Sequence, residues 1–111
     1  MSRVISEPDW KLFRRLQPLA LERFCQWVLS EIERVASYGK KSSHERYLAV
    51  FKLIERRDKE LADAFDDMRR STALRQLACL RSRGLVTDEE FAGFSPETRG
   101  AVDLFLGTKR A

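Results

Sequence analysis

Two long rows of apolar side chains, separated by a short break, constrain the fold of this chain more than any other feature. Both rows recur at the spacing of one helix face. They comprise Leu21, Phe24, Cys25, Val28, Ile32 and Val35, and then Tyr47, Phe51, Ile54, Leu61, Phe65 and Met68. The break between them, residues 38–42, contains Gly39 and a Lys-Lys-Ser loop. The sequence therefore predicts two long helices, at about residues 18–37 and 43–70, that pair antiparallel as a helical hairpin.

Capping signals predict where the helices begin and end. Each start has a Ser or Thr cap followed by Pro or Glu, and each stop has a Gly. The starts are Ser6 with Pro8, Ser42 with Glu45, Thr87 with Glu90, and Ser95 with Pro96; the stops are Gly39, Gly84 with Leu85 packing back, Gly93 and Gly107.

Three boundaries stay open in the sequence. Pro18 either kinks a helix that begins at Ser6, or it occupies the first position of a new helix. The second long row fits one helix from Ser43 to Arg70, or two helices with a break at Asp58. After Ser71-Thr72, the apolar pattern from Leu74 to Arg81 either continues that helix or follows a bend.

These patterns predict an all-α, single-domain helical bundle of five or six helices, built on the long antiparallel hairpin. The chain has 111 residues, of which 43% are hydrophobic, enough for one core. Val, Ile and Thr show no sustained alternation, which disfavours strands. We expect residues 1–111 to form one domain and residues 108–111 to form a flexible tail.

The composition also bears on the compartment. Charged residues such as Glu7, Asp9 and Lys11 interrupt any apolar leader segment, and no charge-free stretch is long enough to span a bilayer. Cys25 and Cys79 each lie within an apolar helical pattern, as buried thiols in a reducing compartment do. We therefore expect no membrane association and a cytoplasmic location.

The net charge of +4 is distributed in blocks. Residues 39–57 contain six basic and two acidic residues, residues 58–67 one basic and five acidic, and residues 69–83 five basic and none acidic. If these blocks lie on one helix, Asp66 and Asp67 pair with Arg69 and Arg70, and Lys59 pairs with Glu55 and Asp63. The alternative is an Arg-rich face that binds phosphate or acidic groups. Its residues are Arg69, Arg70, Arg75, Arg81 and Arg83.

Nucleic-acid binding through this arginine row is the alternative function. The helices around Gly84 could form a helix-turn-helix, but the second of them begins with Asp88-Glu89-Glu90. A recognition helix places its first residues between phosphates, which repel carboxylates. No zinc finger, RNA-binding aromatic motif or basic zipper is present either, so this function is the less favoured one.

The sequence predicts neither a catalytic site nor a metal or cofactor site. His44 is the single histidine, and no nucleophile motif, phosphate-binding loop or cluster of metal ligands accompanies it. We therefore expect a protein that is not an enzyme.

The leading interpretation is a small non-enzymatic protein, an adaptor or regulator, that acts by helix-mediated protein–protein contact and forms a homodimer. Trp27 lies off the first apolar row, whereas Leu48 and Val50 lie beside the second, which thus carries more apolar surface than one neighbouring helix covers. The other aromatic residues are mostly expected in the core. Trp27, Leu48 and Val50, with the five arginines, form the candidate interaction surface.

One segment shows a local resemblance to a known family. Leu74, Leu77 and Leu80, followed by Gly84-Leu85-Val86-Thr87 and Asp88-Glu89-Glu90-Phe91, resemble a SHOCT-type short helical hairpin. The match covers about 18 residues, and Phe94-Ser95 stands where that family has a basic position. The resemblance implies a role in oligomerisation rather than catalysis.

Overall fold

The computed structural model describes residues 4–107, and this part of the chain forms five helices and no strand. They are α1 (Glu7–Ala36), α2 (Ser43–Phe65), α3 (Ala73–Ser82), α4 (Asp88–Ala92) and α5 (Pro96–Leu106). The predicted all-α class and the helix count are therefore confirmed. The tail expected at residues 108–111 lies outside the described residues.

Helices α1 and α2 pair antiparallel, as three polar contacts along their length show. Arg46 donates to the carbonyl oxygen of Ala36 near the loop, and Arg57 pairs with Glu31 in the middle. At the other end, Gln17 donates to the carbonyl oxygen of Phe65 at 3.4 Å. From the loop toward the core, the residue numbers in α1 fall while those of their partners in α2 rise. This order is that of two antiparallel helices in a hairpin.

Helix α1 runs without interruption through Pro18, so the alternative of a helix that ends there is wrong. Ser6 caps its first turn by accepting a hydrogen bond from the Asp9 amide. Pro18 removes one backbone hydrogen bond, but Leu16 and Ala20 on either side of it are buried. Burial of this face stabilises the helix despite the loss at Pro18.

Helix α2 ends at Phe65, so the expectations of a helix reaching Arg70 or breaking at Asp58 are both wrong. The chain turns at Asp67, whose φ of 61° is left-handed. The fully buried side chain of Gln76 donates to the carbonyl oxygen of Asp66 at 2.6 Å, and Thr72 Oγ1 accepts from the Arg69 amide. These side chains satisfy backbone groups that a helix would otherwise pair, and α3 follows this bend.

The hydrophobic core lies at one end of the molecule. It is formed by Ile5, by α1 as far as Phe24, by the end of α2 and by the segment from α3 to α5. The far halves of α1 and α2, residues 25–58, extend beyond this core, and we call them the hairpin arm. The radius of gyration is 17.0 Å, against about 13 Å for a compact domain of this length, which reflects the arm.

The buried carboxylate of Asp9 fixes α5 to the start of α1. Asp9 accepts hydrogen bonds from Ser95 Oγ and Thr98 Oγ1, both at 2.6 Å, and from the Ser95 amide at 3.2 Å. Burial raises the pKa of Asp9, but the hydrogen bonds from Ser95 and Thr98 outweigh that effect and leave the pKa below its usual value. The carboxylate is thus held ionised at the point where α5 begins.

Replacement of this carboxylate destabilises the fold. We expect Asp9→Ala to lower the free energy of unfolding by about 2–3 kcal/mol, because two hydroxyl donors and an amide lose their acceptor. Urea denaturation followed by circular dichroism measures the change. The control is Asp63→Ala, at an exposed carboxylate on α2, which should stay within about 0.5 kcal/mol of the wild type. Equal losses in both variants would contradict the role of Asp9.

The short helix α4 is held to α1 by a partly buried ion pair. Its predicted capping box is present: Glu90 accepts from the Thr87 amide and Thr87 Oγ1 accepts from the Glu90 amide. Arg23 of α1 forms two hydrogen bonds of 2.8 Å with the same carboxylate and a third with the carbonyl oxygen of Leu85. The Arg23 hydrogen bond lowers the pKa of Glu90 to about 2. Gly84, with φ 75°, makes the predicted turn before this helix.

This ion pair makes stability depend on pH in acid. Because the pKa of Glu90 is lower in the folded chain, its contribution is fully present above its ordinary value near 4.5 and is lost as the pH falls toward 2. We expect Glu90→Gln to remove about 1–2 kcal/mol at pH 7, allowing for solvent around Arg23, and to flatten the stability profile between pH 5 and 2. Urea titrations across that range test this, with exposed Glu89→Gln as the control. A Glu90→Gln profile parallel to the wild type would refute it.

Candidate interaction surface

The hairpin arm carries most of the exposed apolar surface in residues 4–107. Of eleven large apolar side chains that are exposed there, seven belong to the arm. They are Trp27, Leu29, Tyr38, Tyr47, Leu48, Phe51 and Ile54. In the same segment Leu53 is the one fully buried large apolar side chain. The arm is therefore a two-helix extension with apolar side chains that the fold itself leaves uncovered.

The longest exposed row lies on α2. Tyr47, Phe51 and Ile54 follow one another at intervals of four and three residues, and 67%, 51% and 46% of their side chains are exposed. The aromatic residues are mostly expected in the core, and for Tyr47 and Phe51 that expectation is wrong. Helix α2 turns Leu53 and Arg57 toward α1, so the face with the aromatic row has no neighbouring helix.

A groove continues this row toward the core. Val28 and Leu29 of α1 form one wall, and Ile54, Asp58 and Leu61 of α2 form the other, around a volume of about 330 Å³. Ile54 belongs to both the row and the groove, so the two form one surface. We call Leu29, Tyr47, Leu48, Phe51 and Ile54 the arm face. It combines projecting aromatic rings with an indentation.

The three apolar residues predicted as an interaction surface do not lie together. Leu48 is exposed on the arm face, and half-buried Val50 lines a small cleft beside Tyr47. Trp27 lies about 200° around α1 from Leu29, and it lines a different groove with Arg83 and Leu85. The structure therefore divides the predicted surface between two sides of the arm.

Arg57 holds the two helices of the arm together where the arm meets the core. Its guanidinium donates to both oxygens of Glu31 on α1, at 2.8 and 3.0 Å, and to Glu60 on its own helix. Glu60 also accepts from Arg83 at the end of α3. The guanidinium carbon lies 4.5 Å from the ring centre of Trp27. The hydrogen bonds to Glu31 raise the pKa of Arg57 and lower that of Glu31.

The arginine row is largely engaged within the fold. Four of its members form ion pairs: Arg69 with Asp67, Arg70 with Glu7, Arg81 with Asp88 and Arg83 with Glu60. Arg70 also donates to the carbonyl oxygen of Ile5, and Arg81 to that of Val86. Arg75 is exposed and makes no ion pair with residues 4–107. The row is therefore not a continuous free cationic face.

The ion pairs differ from those expected along a continuous helix. Neither Asp66 with Arg69 or Arg70, nor Asp67 with Arg70, is paired in the described part of the chain. The reason is that α2 ends at Phe65, so residues 66–70 do not have helical spacing. Contacts from the distant Glu7 and the neighbouring Asp67 replace them.

The remaining candidate groups lie apart from one another. His44 is exposed in the first turn of α2, and Cys25 and Cys79 are free and half-buried. Among residues 4–107, no three His, Cys, Asp or Glu side chains are grouped as a metal site would require. In the same range, no helix combines the length and the apolar character that crossing a membrane needs.

Comparison of this chain with protein-family models, with curated proteins and with solved structures finds no match. The resemblance of residues 74–91 to a SHOCT-type hairpin therefore stays a prediction that rests on those residues alone. Residues 73–92 do form two short helices joined at Gly84.

Loss of the Arg57 guanidinium weakens the contact between α1 and α2 at the base of the arm. We expect Arg57→Met to lower the free energy of unfolding by about 2–3 kcal/mol, because Glu31 and Glu60 lose their main partner in a poorly solvated position. Arg56→Met, at the exposed neighbouring residue, is the control and should change it by less than about 0.5 kcal/mol. Urea unfolding monitored by tryptophan fluorescence measures both, and a stable Arg57→Met protein would contradict this account.

Proposed function

We propose that this chain is a non-enzymatic interaction protein, an adaptor or regulator, that acts through helix-mediated contact and self-associates through the arm face. The observation that carries the proposal is the exposure of Tyr47, Phe51 and Ile54 in one row on an arm that projects from the core. Exposed apolar patches of this kind on folded chains favour protein contacts, and aromatic residues are enriched among the residues that dominate binding energy.

The size of the arm face supports a dimer. At roughly 200 Å² for a fully exposed large side chain, the exposed fractions of its five residues correspond to roughly 500 Å² in each copy. Complete coverage of two such faces would bury roughly 1,000 Å², which is the area that a specific interface should reach, before any polar rim is added. The arm face of a second copy is therefore large enough to cover the arm face of the first.

The nucleic-acid alternative receives less support. Arg69, Arg70, Arg81 and Arg83 already form ion pairs with carboxylates of the same chain. A phosphate would have to displace those carboxylates, which reduces the gain in free energy from each contact. For the location we propose the cytoplasm, since Cys25 and Cys79 are free thiols, as a reducing compartment favours.

A matched pair of phenylalanines tests the proposal. Phe51 and Phe105 both lie on helices, and 51% and 52% of their side chains are exposed. We expect the wild type to run as a dimer in size-exclusion chromatography with light scattering at tens of micromolar. Phe51→Glu should weaken the dimer by at least about 30-fold, because a charge would be buried at the centre of the face.

Phe105→Glu is the control, because Phe105 lies on α5 rather than on the arm. It should leave the dimer intact, and circular dichroism should show that both variants keep their helical content. A monomeric wild type at these concentrations would refute self-association. Equal weakening by both substitutions would show that the arm face is not the contact.

A further inference from the structure

We infer that the second copy docks antiparallel, with α2 packed on α2 of the other copy and the twofold axis passing near Phe51. This inference rests on the proposed self-association and specifies its partner surface and orientation. Three properties of the arm face carry it: the position of its groove, the order of the charges along α2, and the direction of the helix dipole.

The arm face is complementary to itself when two copies run in opposite directions. About an axis at Phe51, a residue a given number of positions before Phe51 faces the residue the same number of positions after it in the other copy. Tyr47 then faces the level of Glu55, beside the groove walls Ile54 and Asp58. The projecting ring of Tyr47 enters the apolar groove of the other copy, and symmetry repeats the contact.

The groove also offers an acceptor for the tyrosine hydroxyl. Asp58 is exposed at the groove wall and forms no ion pair with any residue from 4 to 107. A tyrosine that buries its ring needs a partner for its hydroxyl group. In the antiparallel arrangement the Asp58 carboxylate of the other copy supplies that partner, so each copy presents both the ring and its acceptor.

On the face of α2 that carries Phe51, the charged residues that follow it are acidic. Glu55 and Asp58 lie within about 40° of Phe51 around the helix, whereas the basic residues that follow it lie about 80° or more away. Lys40 and Lys41 precede α2, whereas Glu55 and Asp58 follow Phe51 on the exposed side of the helix. None of these four side chains takes part in an ion pair within the described part of the chain. A parallel dimer would place lysines beside lysines and carboxylates beside carboxylates. The antiparallel dimer instead brings Lys41 to within about three positions of the level of Asp58 in the other copy.

The helix dipole favours the same orientation. Lys40 and Lys41 lie at the positive end of α2, where Glu45 is the residue of favourable charge, and the last turn contains no basic residue. The two lysines therefore oppose the helix dipole. They do not stabilise α2 by itself. An antiparallel neighbour brings the negative end of one α2 toward the lysines of the other. The lysines therefore stabilise the antiparallel dimer rather than their own helix.

Crosslinking between two single-cysteine variants tests the orientation. His44→Cys and Asp58→Cys are made separately in a chain that also carries Cys25→Ala and Cys79→Ala, because His44 and Asp58 are each seven positions from Phe51. Light scattering and circular dichroism first establish that the variants are folded dimers. The variants are then mixed, treated with a bismaleimide of about 10 Å reach, which matches the distance between packed helices, and analysed by intact mass.

We expect the mixed product, with one copy of each variant, to exceed the products formed by each variant alone by at least tenfold. In the antiparallel dimer, identical positions seven residues from the axis lie about 21 Å apart along the helix, beyond the reach of the reagent. Arg56→Cys, on the opposite side of α2, is the control partner for His44→Cys and should give no product above background.

The other outcomes separate the two proposals. Efficient crosslinking of each variant with itself would establish a parallel dimer and overturn the antiparallel arrangement, while self-association would stand. A dimer that gives no crosslinked product would overturn the inferred face. A wild-type chain that is monomeric by light scattering would overturn both proposals.

Discussion

Among the described residues of the arm, the Arg57 guanidinium donates more hydrogen bonds between α1 and α2 than any other side chain. Two helices that leave a core have little surface to bury against each other, and in the arm Leu53 is the one large apolar side chain that is fully buried. Arg57 compensates with a bidentate pair to Glu31, a second pair to Glu60 and stacking on Trp27. The geometry is planar and directional, which a lysine could not reproduce. It fixes the register of α1 and α2 just beyond the core.

Polar contacts have the same role at the other end of the molecule. Helices α4 and α5 are too short to be stable in isolation, and each is attached to α1 through a carboxylate. Asp9 accepts from the start of α5, and Glu90 at the start of α4 pairs with Arg23. Each carboxylate satisfies backbone or hydroxyl donors at a helix start while it links two elements. Asp9 and Arg23 of α1 thus fix the starts of the two short helices, while α5 packs mainly against α3.

The number of neighbouring helices explains why apolar side chains stay exposed on the arm. In the core, α1 meets α2, α3 and α5, so its apolar residues have neighbours on several sides. Beyond Phe24 the arm consists of two helices, and each can cover one face of the other. Tyr47, Phe51 and Ile54 lie outside that contact. The proposed interaction and its antiparallel geometry follow from this uncovered row and from the charges that flank it.

The sequence by itself determined the helical class and most of the helix boundaries. The Ser42–Glu45 and Thr87–Glu90 capping boxes and the turn at Gly84 depend on residues three or four positions apart, so local chemistry decides them. Helical spacing also identified the apolar rows. Spacing cannot tell a face that meets another helix from one that meets solvent, because both show the same periodicity.

The tertiary structure decided which groups are brought together. The end of α2 at Phe65 depends on Gln76, ten residues away from the Asp66 carbonyl that it satisfies. The pairing of Arg70 with Glu7 and of Arg57 with Glu31 joins residues that are 63 and 26 positions apart. Such contacts depend on how the helices pack, which no local pattern encodes. For the same reason, only the packing of α1 on α2 decided that Leu53 is buried while Phe51 is exposed.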